Sequence, residues 1–395
     1  MPGLLRFFED PIGLLLFAGL GPLALSFIAP SLEAQTTPPS VSKRPSISKG
    51  EGLLKKSVLL HDRSLGTVTD IIRDPSHEAK LGVAGVSGAV FLRADHSVVS
   101  RVDFARASRP GLLGLFGPPL VPTHVEFVHL NKQGDWGFVN RGGEGWQDAS
   151  LIGSDGRTLW TCGGQPGVDD MAAGDLNGDG VADFVVGFNG DGGVRRLDTA
   201  GKTLWQKPDG NVWHVQIVDV DGDGKPEIVH TNSGGELTIR DQNGTVIHRF
   251  KTEIYCSDFS LCVWPTQKSS PKLLAMGNGR VCVLDFMGGI AGRYQIPPSA
   301  RSAGTRGTLV RLRKGEQEFL AVVMVSGNPL WRTSVLYLFN ADRELVYQEE
   351  IPGKCAAIMA LPDGNSGLDE LLVGGANTVW KYRPAKAGEK PTGIR

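Results

Sequence analysis

A repeat of about 45 residues governs this sequence. A pair of short strands around a turn recurs in IGSDGRTLW (152–160), LDTAGKTLW (197–205), IRDQNGTVI (239–247) and LFNADRELV (338–346). The turn glycines Gly156, Gly201 and Gly244 stand 45 and 43 positions apart. Upstream in each unit, a Gly-containing loop runs into an apolar strand, as in LNKQGDWGFV (130–139), LNGDGVADFV (176–185), VDGDGKPEIV (220–229) and LPDGNSGLDELLV (361–373). The unit that starts at His214 reads as four short strands, Val215–Val220, Glu227–Thr231, Glu236–Arg240 and Thr245–Phe250. Such a sheet cannot bury both faces by itself and has to stack on its neighbours, which is the property of a β-propeller blade. Units start near Gly66, His124, Val168, His214, Ser260, Thr308 and Ala356, so the expectation is an all-β propeller of about seven four-stranded antiparallel blades. The 53 glycines, 24 prolines and 7% aromatic content fit many short elements joined by tight turns.

The two ends of the repeat region bear on ring closure. The last unit has a third strand at Thr378–Tyr382 but no fourth, because residues 385–395 form a polar tail. Leu54–His61 (LKKSVLLH) is a β-like run with no place in the first unit, so it is expected to close the ring as the outer strand of the last blade, which removes an exposed sheet edge. The propeller then spans 53–384. Before it, Pro11–Ile28 is apolar and uncharged, and 1–34 reads as a signal peptide cut after Ala34, with an uncleaved membrane anchor as the alternative. Residues 35–52, rich in Pro, Ser and Lys, read as a flexible linker. This organisation places the propeller outside the cytoplasm: secreted, periplasmic or held at a membrane through 11–28. Arg106–Val121, rich in Gly, Pro and Leu, is an insertion between the first two units, expected as a surface loop or a contact site.

The chemistry concentrates in two loops one period apart. Asp175-Leu-Asn177-Gly-Asp179-Gly-Val181-Ala-Asp183 and Asp219-Val-Asp221-Gly-Asp223-Gly-Lys225-Pro-Glu227 both fit D-x-[DN]-x-[DN]-G. Oxygens at positions 1, 3 and 5, a carbonyl at 7 (Val181, Lys225) and a carboxylate at 9 converge on one hard cation, calcium rather than magnesium. The carboxylates repel one another without a counter-ion. An Asp/Asn/Gly turn with no ion is the alternative. These are not helical EF-hands, because position 12 holds Val186 or His230 where a bidentate Glu belongs, and the exit runs are strand-like. The loops at His129–Gly137 and Pro362–Glu370 lack the ligand set.

With loop and following strand taken together, DLNGDGVADFVVG and DVDGDGKPEIV resemble the FG-GAP or VCBS-type repeat of integrin α-subunit propellers and many secreted bacterial proteins. The resemblance implies calcium at Asp175, Asn177, Asp179 and Asp183 and at Asp219, Asp221, Asp223 and Glu227, with a structural role in bracing blade hairpins. Pieces such as DTAGKTLW also look like quinoprotein-type propeller repeats, but no other feature supports a quinone cofactor.

Composition and motifs limit what else the chain does. Charge is nearly balanced, 41 basic against 42 acidic residues, so no global field draws it to nucleic acid. Five cysteines are too few for a disulfide scaffold; Cys256 and Cys262 either bridge or stay as buried thiols. No nucleophile motif, H-E-x-x-H or phosphate loop is present. His124, His129, His214 and His230 fall near inner or second strands and are expected to be packing residues, with a catalytic base as the alternative. Trp136, Trp146, Trp160, Trp205, Trp213, Trp264, Trp331 and Trp380 recur across units and are expected mostly between blades. Asn243-Gly-Thr245 matches a glycosylation sequon, which an Asn-Gly turn explains more simply. The expected function is a monomeric, calcium-stabilised module that binds a protein or glycan through its blade-connecting loops. The alternative is a propeller enzyme, a polysaccharide lyase or hydrolase, with its site over the central pore.

Overall fold

The computed structural model describes residues 53–386 apart from 74–79, 105–123, 142–147, 165, 233, 253–261, 265–271, 278–279, 298–304, 316–317, 329–330 and 363–365. The chain divides into Met1–Ser46 and Ile47–Arg395, and everything described belongs to the second unit. The N-terminal apolar run, the Arg106–Val121 insertion, Cys256 and Trp146 lie outside the described residues.

Seven four-stranded antiparallel sheets account for every strand, and no helix occurs among the described residues. The innermost strands are Val68–Arg73, Val125–His129, Val168–Gly174, Val212–Val218, Cys262–Trp264, Thr305–Val310 and Ala357–Pro362, in blades 1 to 7. Inner strands of successive blades lie side by side from blade 1 to blade 4 and from blade 5 to blade 7, and that of blade 7 lies against that of blade 1. The chain is a seven-bladed β-propeller.

Closure follows the expectation from the sequence. Leu54–His61 pairs antiparallel with Thr378–Pro384, from Leu54 opposite Pro384 to His61 opposite Thr378, as the outer strand of blade 7. Lys56 fastens this strand to blade 6: its Nζ lies 2.6 Å from Glu349 Oε1 and sits above the rings of Trp380 and Tyr382, at 5.0 and 5.5 Å.

Strand composition follows position in the blade. Second and third strands are covered on both sides, so Asp183–Phe188 and Gly88–Leu92 are buried throughout. Alternate residues of one strand serve two neighbours: Phe184, Val186 and Phe188 pack with Val139 and Leu151 of blade 2, and Val185 packs with Val212 and Ile228 of blade 4. Each such aliphatic or aromatic side chain contributes about 1.5–3 kcal/mol relative to its exposed state. Outer strands have one free edge, and Thr158–Cys162 and Thr203–Lys207 each carry three exposed and two half-buried residues.

The turn-and-tryptophan repeat is a clasp between blades. Trp160 Nε1 donates to Thr199 O at 2.9 Å, and Trp205 Nε1 donates to Gln242 O at 2.9 Å. Each indole covers the turn glycine of the next blade, Gly201 or Gly244, with φ of +78° and +76°. A Cβ at these glycines would stand 3.0 and 3.2 Å from the indole atoms, so both the left-handed turn and the stacking require glycine.

One inner strand begins earlier than the alternation of residues implies. Blade 4 starts at Val212 rather than Val215, because the register shifts between Val212 and His214. The shift lets Val212 and Val215, three positions apart, both be fully buried, which breaks the two-residue period. Register shifts at the same place occur between Val68 and Asp70 in blade 1 and between Val168 and Asp170 in blade 3.

Candidate functional site

Polar chemistry gathers at both ends of the inner strands. The bulges place Asp70, Asp170 and His214 at the opening ends, and the acidic loops follow the closing ends, about 15–20 Å away along a strand.

At the opening ends Arg141 is the hub. Its Nε and Nη2 donate to the two oxygens of Asp170, both at 2.6 Å, and its Nη1 donates to Glu126 Oε1 at 2.6 Å. Asp170 Oδ2 also accepts the N–H of Val215 in blade 4 at 3.0 Å, and Arg141 reaches Val215 O at 3.2 Å. His124 Nε2 meets Glu126 Oε1 at 2.8 Å and Nη2 of Arg306, from blade 6, at 3.3 Å. Blades 2 and 6 stand on opposite sides of the ring, so these side chains span the central channel. Asp70 repeats the Asp170 device one joint earlier: its Oδ2 accepts the N–H of Phe127 in blade 2 at 2.9 Å.

The environments split these carboxyls into two kinds. Burial pushes Asp170 and Glu126 up, but the Arg141 charge, aided by the neighbouring His214 and by the hydrogen bond from His124, outweighs it and holds both far below the usual carboxylate range. Burial, then the nearby Glu126 charge, raises Asp70 to about 7. Burial, then Asp170, raises Asp169 to about 7. Burial dominates at His124 and depresses it to about 4, which leaves the ring neutral. The sequence singled out His124 and His214 here but missed Asp70, Glu126, Arg141, Asp170 and Arg306. The local signal was present: Val-x-Asp opens the inner strands of blades 1 and 3, and an acid in such a strand requires a partner.

The other histidines are placed apart from this cluster. His230 is 1% exposed in blade 4, where its Nε2 accepts from Arg240 Nε at 3.2 Å beside Asp209. His129 is exposed at the end of its strand. Asn243 forms a turn with Gly244, whose N–H donates to Asp241 O at 3.0 Å.

Both acidic loops are built on the same frame. Asp175 Oδ2 accepts Gly180 N–H at 2.8 Å, and Asp219 Oδ2 accepts Gly224 N–H at 2.9 Å. Asn177 and Asp221 each accept the N–H two residues on, from Asp179 at 3.1 Å and Asp223 at 3.0 Å. Asp179 and Asp223 do the same for Val181 and Lys225, both at 2.7 Å. Asp175 Oδ1 is buried without a hydrogen-bond partner.

The loops differ at position 9. Asp183 turns to Arg196, whose Nε and Nη2 donate to its two oxygens at 3.1 and 2.7 Å, and both side chains are buried. Glu227 turns to its own loop. One oxygen each of Asp219, Asp221 and Glu227 lies within 4.8 Å of the others, the one such trio of acidic, His or Cys ligands among the described residues. Burial raises the Glu227 carboxyl, the Val220 N–H lowers it, and repulsion from Asp221, Asp223 and Asp219 raises it further. These donors fit a hard divalent cation: all are oxygens, three are carboxylates, and one of those is buried.

No protein-family model matches the sequence. No curated protein matches it either. Among solved structures, the BBS1N chain from its crystals with ARL6DN is similar, with a TM-score of 0.51 and 13% identity over 87% of this chain and 99% of that one. Saccharomyces cerevisiae Sqt1 is similar at a TM-score of 0.53 and 12% identity, over 85% of this chain and 99% of that one. Both are seven-bladed β-propellers. Likeness at these identities extends to the fold alone.

Proposed function

We propose that this protein is a calcium-stabilised, extracytoplasmic β-propeller that binds a protein or glycan at its blade-connecting loops. The observation that carries the calcium reading is the Asp219–Asp221–Glu227 trio, in which a buried carboxylate lies beside two more. Asp223 and the Lys225 carbonyl complete the ligand set of this loop, as Asp175, Asn177, Asp179, Asp183 and the Val181 carbonyl would in blade 3. The ion would neutralise the loop and tie the inner to the second strand of its blade. Placement outside the cytoplasm is supported by the apolar run at 11–28 and the polar linker after it.

Binding rather than catalysis is supported by the state of the channel. His124 and His214 are held in an ion-pair network that joins blades 2, 3, 4 and 6, so their polar atoms serve the ring. The similar BBS1N structure is a complex with a protein, ARL6DN, which supports a protein partner here.

Calcium is tested by thermal melts of the full chain with excess calcium and with chelator. Binding of one ion at a hundred times Kd adds about 2.7 kcal/mol, which for a domain of this size is a rise of about 4 °C. Identical melts would remove calcium from the proposal. Turnover of a polysaccharide that vanishes in His124→Ala or His214→Ala would replace the binding reading with the enzyme one.

A further inference from the structure

The outer strands pair with their third strands through a register shift that leaves one apolar residue without a partner. In blades 7, 1 and 6 this residue is Leu59, Val99 or Val346, each half-buried and packed into a core cluster. In blades 2, 3 and 4 it is exposed, Leu159 by 57%, Leu204 by 49% and Ile247 by 57%. Val58 of blade 7 is exposed too, but as a paired residue opposite Trp380. Single exposed aliphatic residues are ordinary on a protein surface. These three differ because they hold one position of the repeat on three successive blades. We infer that this arc of outer strands is a docking surface for an anionic lipid bilayer, which Leu204 enters with Leu159 and Ile247 on either side of it.

The charges on the arc select that partner. Residues 157–163, 202–207 and 245–251, which hold the three outer strands and their entries, include Arg157, Lys202, Lys207, Arg249 and Lys251 and no acidic residue. Arg249 is paired with Asp209 and Glu236 at 3.3 and 3.2 Å, and Arg157 Nε stands 3.7 Å from Asp155. Lys202, Lys207 and Lys251 form no ion pair among the described residues, and Lys207 lies 5.7 Å above the ring of Trp205. Exposed aliphatic groups flanked by amines suit the boundary of a negatively charged bilayer: the apolar groups enter it, and each basic residue near the surface adds attraction. Trp160 and Trp205, half-buried beside Leu159 and Leu204, suit the same depth.

Other occupants fit this face less well. A strand added to one of these edges meets a bulge that breaks the ladder it would continue. A second copy docked by the same face sets lysines against lysines. The acidic loops, which follow the closing ends of the inner strands, repel anionic lipid, so the side of the ring makes the contact and its end face does not.

Hydrogen–deuterium exchange of the full chain locates the contact and separates it from attachment through the apolar run at 11–28. The probes are vesicles of phosphatidylcholine with about 30% phosphatidylserine, vesicles of phosphatidylcholine alone, and soluble poly-glutamate. The expected result is slower exchange at 157–163, 202–207 and 245–251 with the anionic vesicles, less slowing with the neutral ones, and no change in the outer strand of blade 6, Leu345–Pro352. Lys202→Glu and Leu204→Ser, both at exposed positions, should keep the parent's melting temperature and each raise the lipid concentration for half of the slowing by about fivefold or more. Unchanged exchange on the three strands, whether the chain stays in solution or attaches through 11–28 alone, would overturn the proposal. Slowing by poly-glutamate without slowing by either vesicle would also overturn it and assign the face to an acidic protein.

Discussion

Arg141 keeps two buried carboxylates ionised that burial alone would neutralise. Removing it leaves Glu126 and Asp170 as uncompensated charges at the joints of blades 2, 3 and 4. Arg141→Met is expected to cost about 3–5 kcal/mol in urea denaturation; a loss under about 1 kcal/mol would mean that the network is not structural. Asp70 is the reverse case. Its carboxyl titrates at about 7 when folded, against about 3.9 when unfolded. The folded chain therefore holds a proton that the unfolded chain gives up, and this residue's contribution makes stability fall as pH rises from about 4 to about 7 and stay level above. Asp70→Asn keeps an oxygen for the Phe127 N–H and removes the charge. It should match the parent near pH 4 and exceed it by about 3–4 kcal/mol at pH 8, and equal stability at both values would contradict the raised carboxyl. The acidic loops were legible in the sequence because their ligands lie within nine residues of one another. The channel cluster was not, because Arg141 and Asp170 are 29 positions apart and His124 and Arg306 are 182 apart.

At the scale of elements, the strand Leu54–His61 carries the closure. Leu54 is 3% exposed and packs with Tyr382, Leu371 and residues of blade 6. Leu54→Ala is expected to cost about 2–5 kcal/mol, measured by urea unfolding. Deleting residues 1–61 leaves the edge of blade 7 open and should produce association in light scattering. A monomeric deletion variant with the parent's melting temperature would show that the strand is not needed for the ring. This role was readable because the last unit lacked a strand and the first had one to spare. The starts of the inner strands were less readable. Bulges before Asp70, Asp170 and His214 replace a two-residue spacing of buried positions with a three-residue one, and in blade 4 a period-two reading starts the strand at Val215 instead of Val212. The same bulges set Asp70, Asp170 and His214 at the opening ends of their strands, where Asp70 and Asp170 accept backbone N–H groups of the next blade.

The whole molecule is a ring whose joints are made twice. Apolar side chains from both faces of each middle strand fill the blade interfaces, and polar devices fix the joints at the two ends of the inner strands. The count of seven followed from the period, since each tryptophan or aromatic clasp has to reach the turn of the next blade and so keeps the repeat near 45 residues. What a repeat cannot display is where successive blades depart from one another. The Lys132 that reaches into a neighbouring blade is such a departure. The central claim is that a divalent cation sits among Asp219, Asp221, Asp223 and Glu227. Anomalous diffraction from crystals of the full chain grown with calcium tests it most directly. The account predicts a strong anomalous peak ringed by those four side chains, and well-ordered side chains around an empty loop would contradict it.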